Sequence, residues 1–169
     1  FEKAGVAKVR QLKGSFLENW LDNGYQGTMS WMERNTDKRT DPDKYMLGVK
    51  SIISLALNYY FEDPPRKPGT AQVSRYAVGR DYHTVIREKL QLLCDFIEEL
   101  MPGAETKVAV DDAPVMDKIW AAYAGIGWIG KHSNLITRDF GSYVFLAEIL
   151  LSEELIYDRE IPDYCGTCT

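Results

Sequence analysis

The feature that most constrains this fold is an amphipathic segment between residues 81 and 101. Apolar side chains recur there every three or four residues, and Pro102 and Gly103 follow directly. This spacing predicts a helix with one buried face, ended by the Pro-Gly pair. Cys94 lies within the segment, and we interpret it as a core side chain.

Segments with strand character surround this helix in the sequence. Residues 50–57 are rich in β-branched side chains and carry few charges, so they predict a buried strand. Residues 1–9, 107–111 and 143–151 predict three more strands. This alternation of strands and helices predicts an α/β fold, an α+β sandwich in which helices flank a central sheet.

The composition excludes several functional classes. The 169 residues include 25 acidic and 20 basic side chains, a formal charge of −5, so any RNA contact would need a local patch. The most apolar stretch, residues 143–151, is interrupted by Glu148 and is far shorter than the roughly 20 residues that cross a bilayer. Residues 1–10 have no apolar signal core, and three cysteines make no disulfide framework. We expect a cytoplasmic monomer that does not bind membranes.

Three carboxylates surround the start of a further predicted helix. Pro114 suits the first turn of this helix, which extends to about Ala124, and Asp111, Asp112 and Asp117 lie close by. Such charges commonly complement a helix dipole. Alternatively, Asp111 is an acid positioned where a strand ends, the usual place for a site in open α/β sheets, and burial would then have to raise its pKa.

A glycine-rich loop follows that helix. Gly125, Gly127 and Gly130 match the dinucleotide fingerprint, and together with Lys131 they match the start of a phosphate-binding loop. Both mechanisms need a strand before the loop and a helix after it. This loop instead follows a helix and leads into the strand-like residues 134–137, which disfavours nucleotide binding.

Two interpretations of the loop remain. In the simpler one, the glycines form a turn that brings backbones close together without any ligand. In the other, they leave room for a large cofactor. Four polar residues would then contact the rim of that cofactor: Lys131, His132, Ser133 and Asn134.

The last residues contain a CxxC pair, Cys165 and Cys168. Such a pair is typical of a redox dithiol, of half a zinc site, or of the opening of an iron-sulfur motif. These residues alone leave a dithiol and a cluster equally open.

Nearly the whole chain resembles the epoxyqueuosine reductases in the order and spacing of its motifs. The segments that carry the resemblance are GYQGTMSWMERN, SIISLALNYY, SRYAVGRDYH, VDDAPVMDK, GIGWIGKHSNLI, FGSYVFLAEILL and PDYCGTC. The chain departs from the usual pattern at Asp112, where Ser or Thr is common, and at Asp117, where Glu is common. It also departs at His132 and Ser133, where Asn and Thr are common.

The resemblance implies a cobalamin-dependent iron-sulfur reductase that removes the epoxide oxygen of epoxyqueuosine at the wobble position of tRNA. It implies a cobalamin-binding catalytic domain over residues 1–160, with residues 161–169 as the start of a truncated ferredoxin-like domain that holds 4Fe-4S clusters. The implied partners are tRNA carrying epoxyqueuosine and an external electron donor. We expect the chain to be inactive by itself.

The resemblance also assigns roles to individual residues. Asp111 matches the proton donor of the family, and Cys165 and Cys168 match cluster ligands. Six further residues match segments that line the cobalamin and substrate pocket: Arg34, Arg75, Tyr76, Lys131, Ser133 and Asn134. Two alternatives are a corrinoid- or flavin-dependent reductase of a small molecule and a non-catalytic corrinoid-binding or electron-transfer module.

Overall fold

A four-stranded sheet forms the centre of the protein. Its strands lie in the order β1 (Lys3–Lys8), β2 (Ser51–Asn58), β6 (Val144–Leu151) and β3 (Thr106–Ala109), and every neighbouring pair is antiparallel. The computed structural model describes residues 1–12, 16–62 and 68–166. The four strands confirm the strand predictions to within one or two residues.

Helices cover both faces of this sheet, which confirms the predicted sandwich. The helices are α1 (Phe16–Asp22), α2 (Thr36–Thr40), α3 (Tyr82–Leu100) and α4 (Asp117–Tyr123). Single 3-10 turns occupy Ser30–Met32, Pro42–Lys44 and Arg75–Ala77. Among the described residues, no helix is both long enough and apolar enough to cross a membrane.

The core has two halves because side chains alternate between the faces of a strand. On one face, the buried residues of α3, including Ile86 and Leu90, pack with Ile149 of β6. On the other face, Trp120 of α4 packs with a second set that includes Leu150 of β6. The predicted helix at residues 81–101 is thus confirmed as α3, and Cys94 packs at the edge of its core.

A row of small residues crosses the face of the sheet that α4 covers. Gly5 pairs with Ser54, Ser54 pairs with Glu148, and Ala109 pairs with Glu148 from the other side. A Cβ atom added at Gly5 would lie 2.1 Å from the carbonyl oxygen of Ala124. The small side chains therefore allow α4 to lie directly against the sheet, above Glu148.

The segment before α4 differs from the sequence prediction. The helix begins at Asp117 rather than Pro114, because residues 111–115 form a bend in which Val115 N–H donates to the Ala113 carbonyl at 2.8 Å. Asp111 has φ +50°, in the left-handed region. The rule that places sites at the carboxyl ends of parallel strands does not apply to this antiparallel sheet.

A short hairpin follows α4. It consists of β4 (Trp128–Ile129) and β5 (Leu135–Ile136), which pair in antiparallel register. The glycine loop thus follows a helix and enters a strand, as predicted. Later in the chain, Asp158 N–H donates to the Val6 carbonyl at 2.9 Å, so the segment after β6 returns along the edge of the sheet.

Candidate active site

A cavity of about 600 Å³ lies where α4 begins. Its wall combines carboxylates, cationic side chains and apolar residues from four parts of the chain. The lining residues are Trp31, Met32, Arg39, His83, Asp111, Asp112, Val115, Met116, Asp117, Lys118 and Ile119.

The loop between β3 and α4 places Asp111 in this cavity, and the start of α3 holds its carboxylate. The Tyr82 hydroxyl donates a hydrogen bond to Asp111 Oδ2, and His83 Nε2 lies 3.9 Å from the same oxygen. Burial, together with the hydrogen bond to Asp111, raises the pKa of Tyr82, so its hydroxyl remains a donor at neutral pH. The Asp111 side chain itself is 65% exposed. The protein alone therefore leaves this carboxylate open to the cavity, and the burial predicted for a proton donor would have to come from a bound cofactor.

Two further contacts fix this arrangement. Tyr82 stacks on Phe145 of β6, with ring centroids 4.2 Å apart and an angle of 4° between the planes. Asp81 caps α3 by accepting from His83 N–H at 2.9 Å and also contacts the imidazole Nδ1 at 2.9 Å. The hydrogen bonds from His83 lower the pKa of Asp81. The ring of Phe145 therefore holds Tyr82 in place, and the carboxylate of Asp81 holds His83.

Asp112 has a different environment from the one predicted. It forms an ion pair with Arg87 of α3 at 2.5 Å, and its side chain is 59% exposed. It lies five residues before α4 and does not cap that helix, whose preceding residue, Met116, makes no capping side-chain bond. Asp112 therefore links the loop to α3 rather than acting as a charge at the end of a helix.

Asp117, the first residue of α4, forms a carboxyl pair with Glu148 of the sheet. Glu148 is fully buried, and its Oε1 accepts from the Ser54 hydroxyl at 3.4 Å. Burial, together with the charge of Asp117, raises the pKa of Glu148 well above its usual range. Burial likewise raises the pKa of Asp117 to about 6, with the charge of Asp111 adding to the shift and a hydrogen bond from Glu148 opposing it.

Glu148 is not among the candidate site residues predicted from the sequence. The available signal was a single carboxylate inside the apolar run of residues 143–151, because a charge in a strand buried on both faces requires a partner.

Cationic groups also line this cavity, namely Arg39 and Lys118. Arg39 of α2 has a buried Nε atom without an acceptor among the described residues. Lys118 Nζ donates to the Ser133 carbonyl at 3.1 Å and so connects the cavity to the β4–β5 hairpin.

The predicted cofactor residues fall into separate groups. Lys131, Ser133 and Asn134 lie in the turn of the hairpin, where Ser133 N–H donates to the Gly130 carbonyl at 2.9 Å. Arg34 is exposed, and its N–H donates to the carbonyl of Trp31, a cavity residue, at 3.2 Å.

Arg75 and Tyr76 line a second depression of about 440 Å³, with Tyr59 and Tyr143. Arg75 donates to the Tyr143 hydroxyl at 3.0 Å. Phe145, whose ring lies 4.4 Å from Tyr59, also stacks on Tyr82. A continuous set of aromatic rings therefore connects this depression to the residues that hold Asp111.

The structure favours the simpler interpretation of the glycine loop. A Cβ added at Gly125 would lie 2.5 Å from the Arg159 carbonyl oxygen, and one at Gly127 would lie 2.3 Å from the Ile136 carbonyl oxygen. At Gly130 it would lie 2.6 Å from the His132 ring. The space that a side chain would occupy at each of the three glycines is filled by the protein itself, which favours a turn that brings backbones close together.

Of the terminal pair of cysteines, Cys165 is half-buried, and its N–H donates to Asp163 Oδ1 at 2.7 Å. Cys168 lies outside the described residues. Within the part of the chain that the structure describes, no three His, Cys, Asp or Glu residues are grouped to hold a metal ion.

Comparisons of sequence agree on one family. Residues 39–112 match the family described as epoxyqueuosine reductase QueG, DUF1730. The chain is 47% identical over 171 residues to the epoxyqueuosine reductase of Cellulophaga algicola, covering 100% of this chain and 56% of that protein. It is 50% identical over 153 residues to the epoxyqueuosine reductase of Leadbetterella byssophila, covering 90% of this chain and 50% of that protein.

Solved structures give the same result. An epoxyqueuosine reductase bound to an epoxyqueuosine-modified stem loop of tRNA-Tyr superposes with a TM-score of 0.88 at 32% identity. The epoxyqueuosine reductase from Bacillus subtilis superposes with a TM-score of 0.81 at 30% identity. In that structure, a catalytic loop named for an aspartate is swung out of the active site. Each superposition covers 99% of this chain and 46% of the other. The chain therefore belongs to the epoxyqueuosine reductase family and spans about half the length of the relatives that it matches.

Proposed function

We propose that this chain supplies the acid-bearing part of an active site that reduces epoxyqueuosine to queuosine in tRNA. The observation that carries the proposal is the position of Asp111. It lies on a loop in a cavity of about 600 Å³, and a tyrosine hydroxyl holds its carboxylate. A relative also has a catalytic loop named for an aspartate. In this proposal, Asp111 gives a proton to the epoxide oxygen as the ring opens.

The cavity has features that suit the edge of a cobalamin. Arg39 Nε is a buried donor without an acceptor among the described residues, and Lys118 lies in the same wall. The rim of a corrin ring carries amide groups whose carbonyl oxygens can accept from such donors. Bound cobalamin would supply the electrons that reduce the epoxide, which side chains alone cannot do.

We propose that Cys165 and Cys168 are ligands of an iron-sulfur cluster that passes electrons to this cavity. A 4Fe-4S cluster uses four thiolates, so these two residues would need two further cysteines. We also propose that residues 1–160 form the cobalamin-binding unit and that residues 161–169 open the cluster-binding unit. An external donor would reduce the cluster.

We propose that the tRNA lies across the depression that Arg75 and Tyr76 line. Tyr60 and Tyr76 are about half exposed there, and Arg75 lies over the rings of Tyr60 and Tyr143 at 4.9 and 5.2 Å. Exposed aromatic rings and arginine planes are the groups on which unpaired RNA bases stack. This local patch would bind RNA although the net charge of the chain is −5.

Reduction of a modified stem loop tests the proposal. The full-length protein, supplied with cobalamin and a low-potential reductant, should convert an epoxyqueuosine-containing stem loop to the queuosine form. Asp111→Asn should reduce kcat by about 10² to 10⁴, the usual contribution of a positioned acid, while leaving the cobalamin spectrum unchanged. Near-normal turnover by Asp111→Asn would refute the assignment of the acid, and a protein that becomes active only with added flavin would refute the cofactor.

A further inference from the structure

A carboxyl pair that the proposed step does not use lies directly behind the cavity wall. Asp117 lines the cavity, and Glu148 lies beneath it on the central strand β6. The two residues are brought together because α4 begins above the row of small side chains on either side of Glu148. The remaining groups near the pair are the Ser54 hydroxyl, the Asp111 carboxylate and the Arg39 guanidinium.

The surroundings of these two carboxyl groups favour a proton shared between them. Asp117 Oδ1 and Glu148 Oε2 are both buried, and neither accepts a hydrogen bond from a nitrogen or hydroxyl donor among the described residues. The two carboxyl groups lie close enough for each to shift the pKa of the other. A hydrogen bond between two carboxyl groups requires a proton on one of them, and two adjacent buried carboxylates cannot both remain ionised.

The stoichiometry of the proposed reaction requires more than one proton. To remove an epoxide oxygen as water, two C–O bonds break, one C=C bond forms, and the substrate takes up two electrons and two protons. The electrons come from the reduced cofactor that the proposed function names. The Asp111 carboxyl group can hold one proton, so the second must come from another source.

We propose that the Asp117–Glu148 pair stores the second proton and delivers it into the cavity through Asp117. Asp111 protonates the oxygen as the first C–O bond breaks, which leaves a hydroxyl group. The stored proton moves along the hydrogen bond from Glu148 to Asp117 and then to that hydroxyl, which leaves as water. Water in the cavity then returns one proton to Asp111 and one to the pair. Glu148 is thus a positioning residue, and the inference rests on the proposed function.

The stored proton can be observed without turnover. We expect the C=O stretch of a protonated carboxyl group in the infrared difference spectrum at pH 7, taken as the ligand-free unmodified protein minus Glu148→Gln. Glu148→Gln should remove this band, because the glutamine keeps a donor to Asp117 but carries no carboxyl proton. Glu99→Gln, at an exposed position on α3, is the matched control and should keep the band. Absence of the band from the unmodified protein overturns the proposal, whatever the activity.

Turnover of the full-length protein and its variants tests whether the stored proton takes part in the reaction. Asp117→Asn should keep the infrared band, since Glu148 remains buried and protonated, yet reduce kcat by about 10²-fold. Glu148→Gln should reduce kcat to a similar extent, with KM for the stem loop unchanged, whereas a structural defect would change both. The proposal is overturned if both variants turn over at the rate and with the pH profile of Glu99→Gln. If the unmodified full-length protein shows the band but does not reduce the stem loop, the proposed function fails and the shared proton stands.

Discussion

A single methyl group at position 5 should disturb the helix that carries Asp117. In Gly5→Ala the new Cβ would lie 2.1 Å from the Ala124 carbonyl oxygen and 3.2 Å from the Ala124 Cβ. Cβ contacts below 3.0 Å essentially do not occur, so the end of α4 must move away from β1 by about 1 Å. The atom in the way belongs to the backbone and cannot rotate aside.

The size of the effect follows from two opposing contributions. Overpacking a close-packed interior costs about 1–3 kcal/mol, whereas replacing glycine by alanine restricts the unfolded chain and returns about 0.4–1 kcal/mol. Because the obstructing atom belongs to the backbone, the overpacking cost lies toward the upper end of its range, and the free energy of unfolding should fall by about 1–2 kcal/mol. For a domain of this size, that loss lowers Tm by about 2–8 °C.

Thermal unfolding followed by circular dichroism measures this shift. Gly166→Ala is the matched control, because a Cβ there would have no atom within 4 Å and the backbone is not left-handed. If Gly5→Ala and Gly166→Ala unfold at the same temperature, the close approach of α4 to the sheet is refuted.

Three further changes test other parts of the structure. Gly127→Ala should lower Tm even without any ligand, because its Cβ would lie 2.3 Å from a carbonyl oxygen of β5; an unchanged Tm would contradict the hairpin packing. Asp112→Ser should cost at most about 1 kcal/mol in urea unfolding, because the pair with Arg87 is exposed; a larger loss would show that the pair anchors the loop. Folding raises the pKa of Asp117 from 3.8 to about 6 and that of Glu148 as well, so the folded chain binds more protons than the unfolded chain. The contribution of Asp117 to stability is thus complete below pH 3.8 and is lost as the pH rises through about 6, and that of Glu148 is lost as the pH rises through its own raised pKa. Glu148→Gln should reduce this loss of stability when the free energy of unfolding is measured as a function of pH. If the variant and the unmodified protein give parallel curves, the raised pKa values are contradicted.

The sequence predicts the layers of this fold better than the detail of its site. Periodicity located α3 and the strands because each buries a regular face, and that signal does not depend on the rest of the chain. The start of α4 was misplaced because Pro114 suits either a first helical turn or the bend that it occupies here. Local patterns do not show the relative direction of two strands. The antiparallel arrangement of the sheet was therefore not predicted.

The candidate site depends on contacts between residues that are far apart in the sequence, and local patterns do not predict such contacts. Asp111 was identified from the family resemblance and from its position after a strand, but its tyrosine partner comes from a helix that begins 29 residues earlier. The glycine loop was ambiguous because a Gly-rich sequence serves equally for a ligand and for the close approach of two backbones. Glu148 was missed because its partner lies on the opposite layer of the sandwich.

The strand order also determines when the site can form as the chain is synthesised. The two central strands are far apart in sequence, since Ser51 at the start of β2 pairs with Leu151 at the end of β6. Pairings of such long range slow folding because a large loop must close before they form. The ribosome releases α4 and the loop that carries Asp111 before it releases β6. Asp117 therefore has no partner until the strand that carries Glu148 is available. The β1–β2 pair and α3 can therefore form before the Asp117–Glu148 pair, which requires β6.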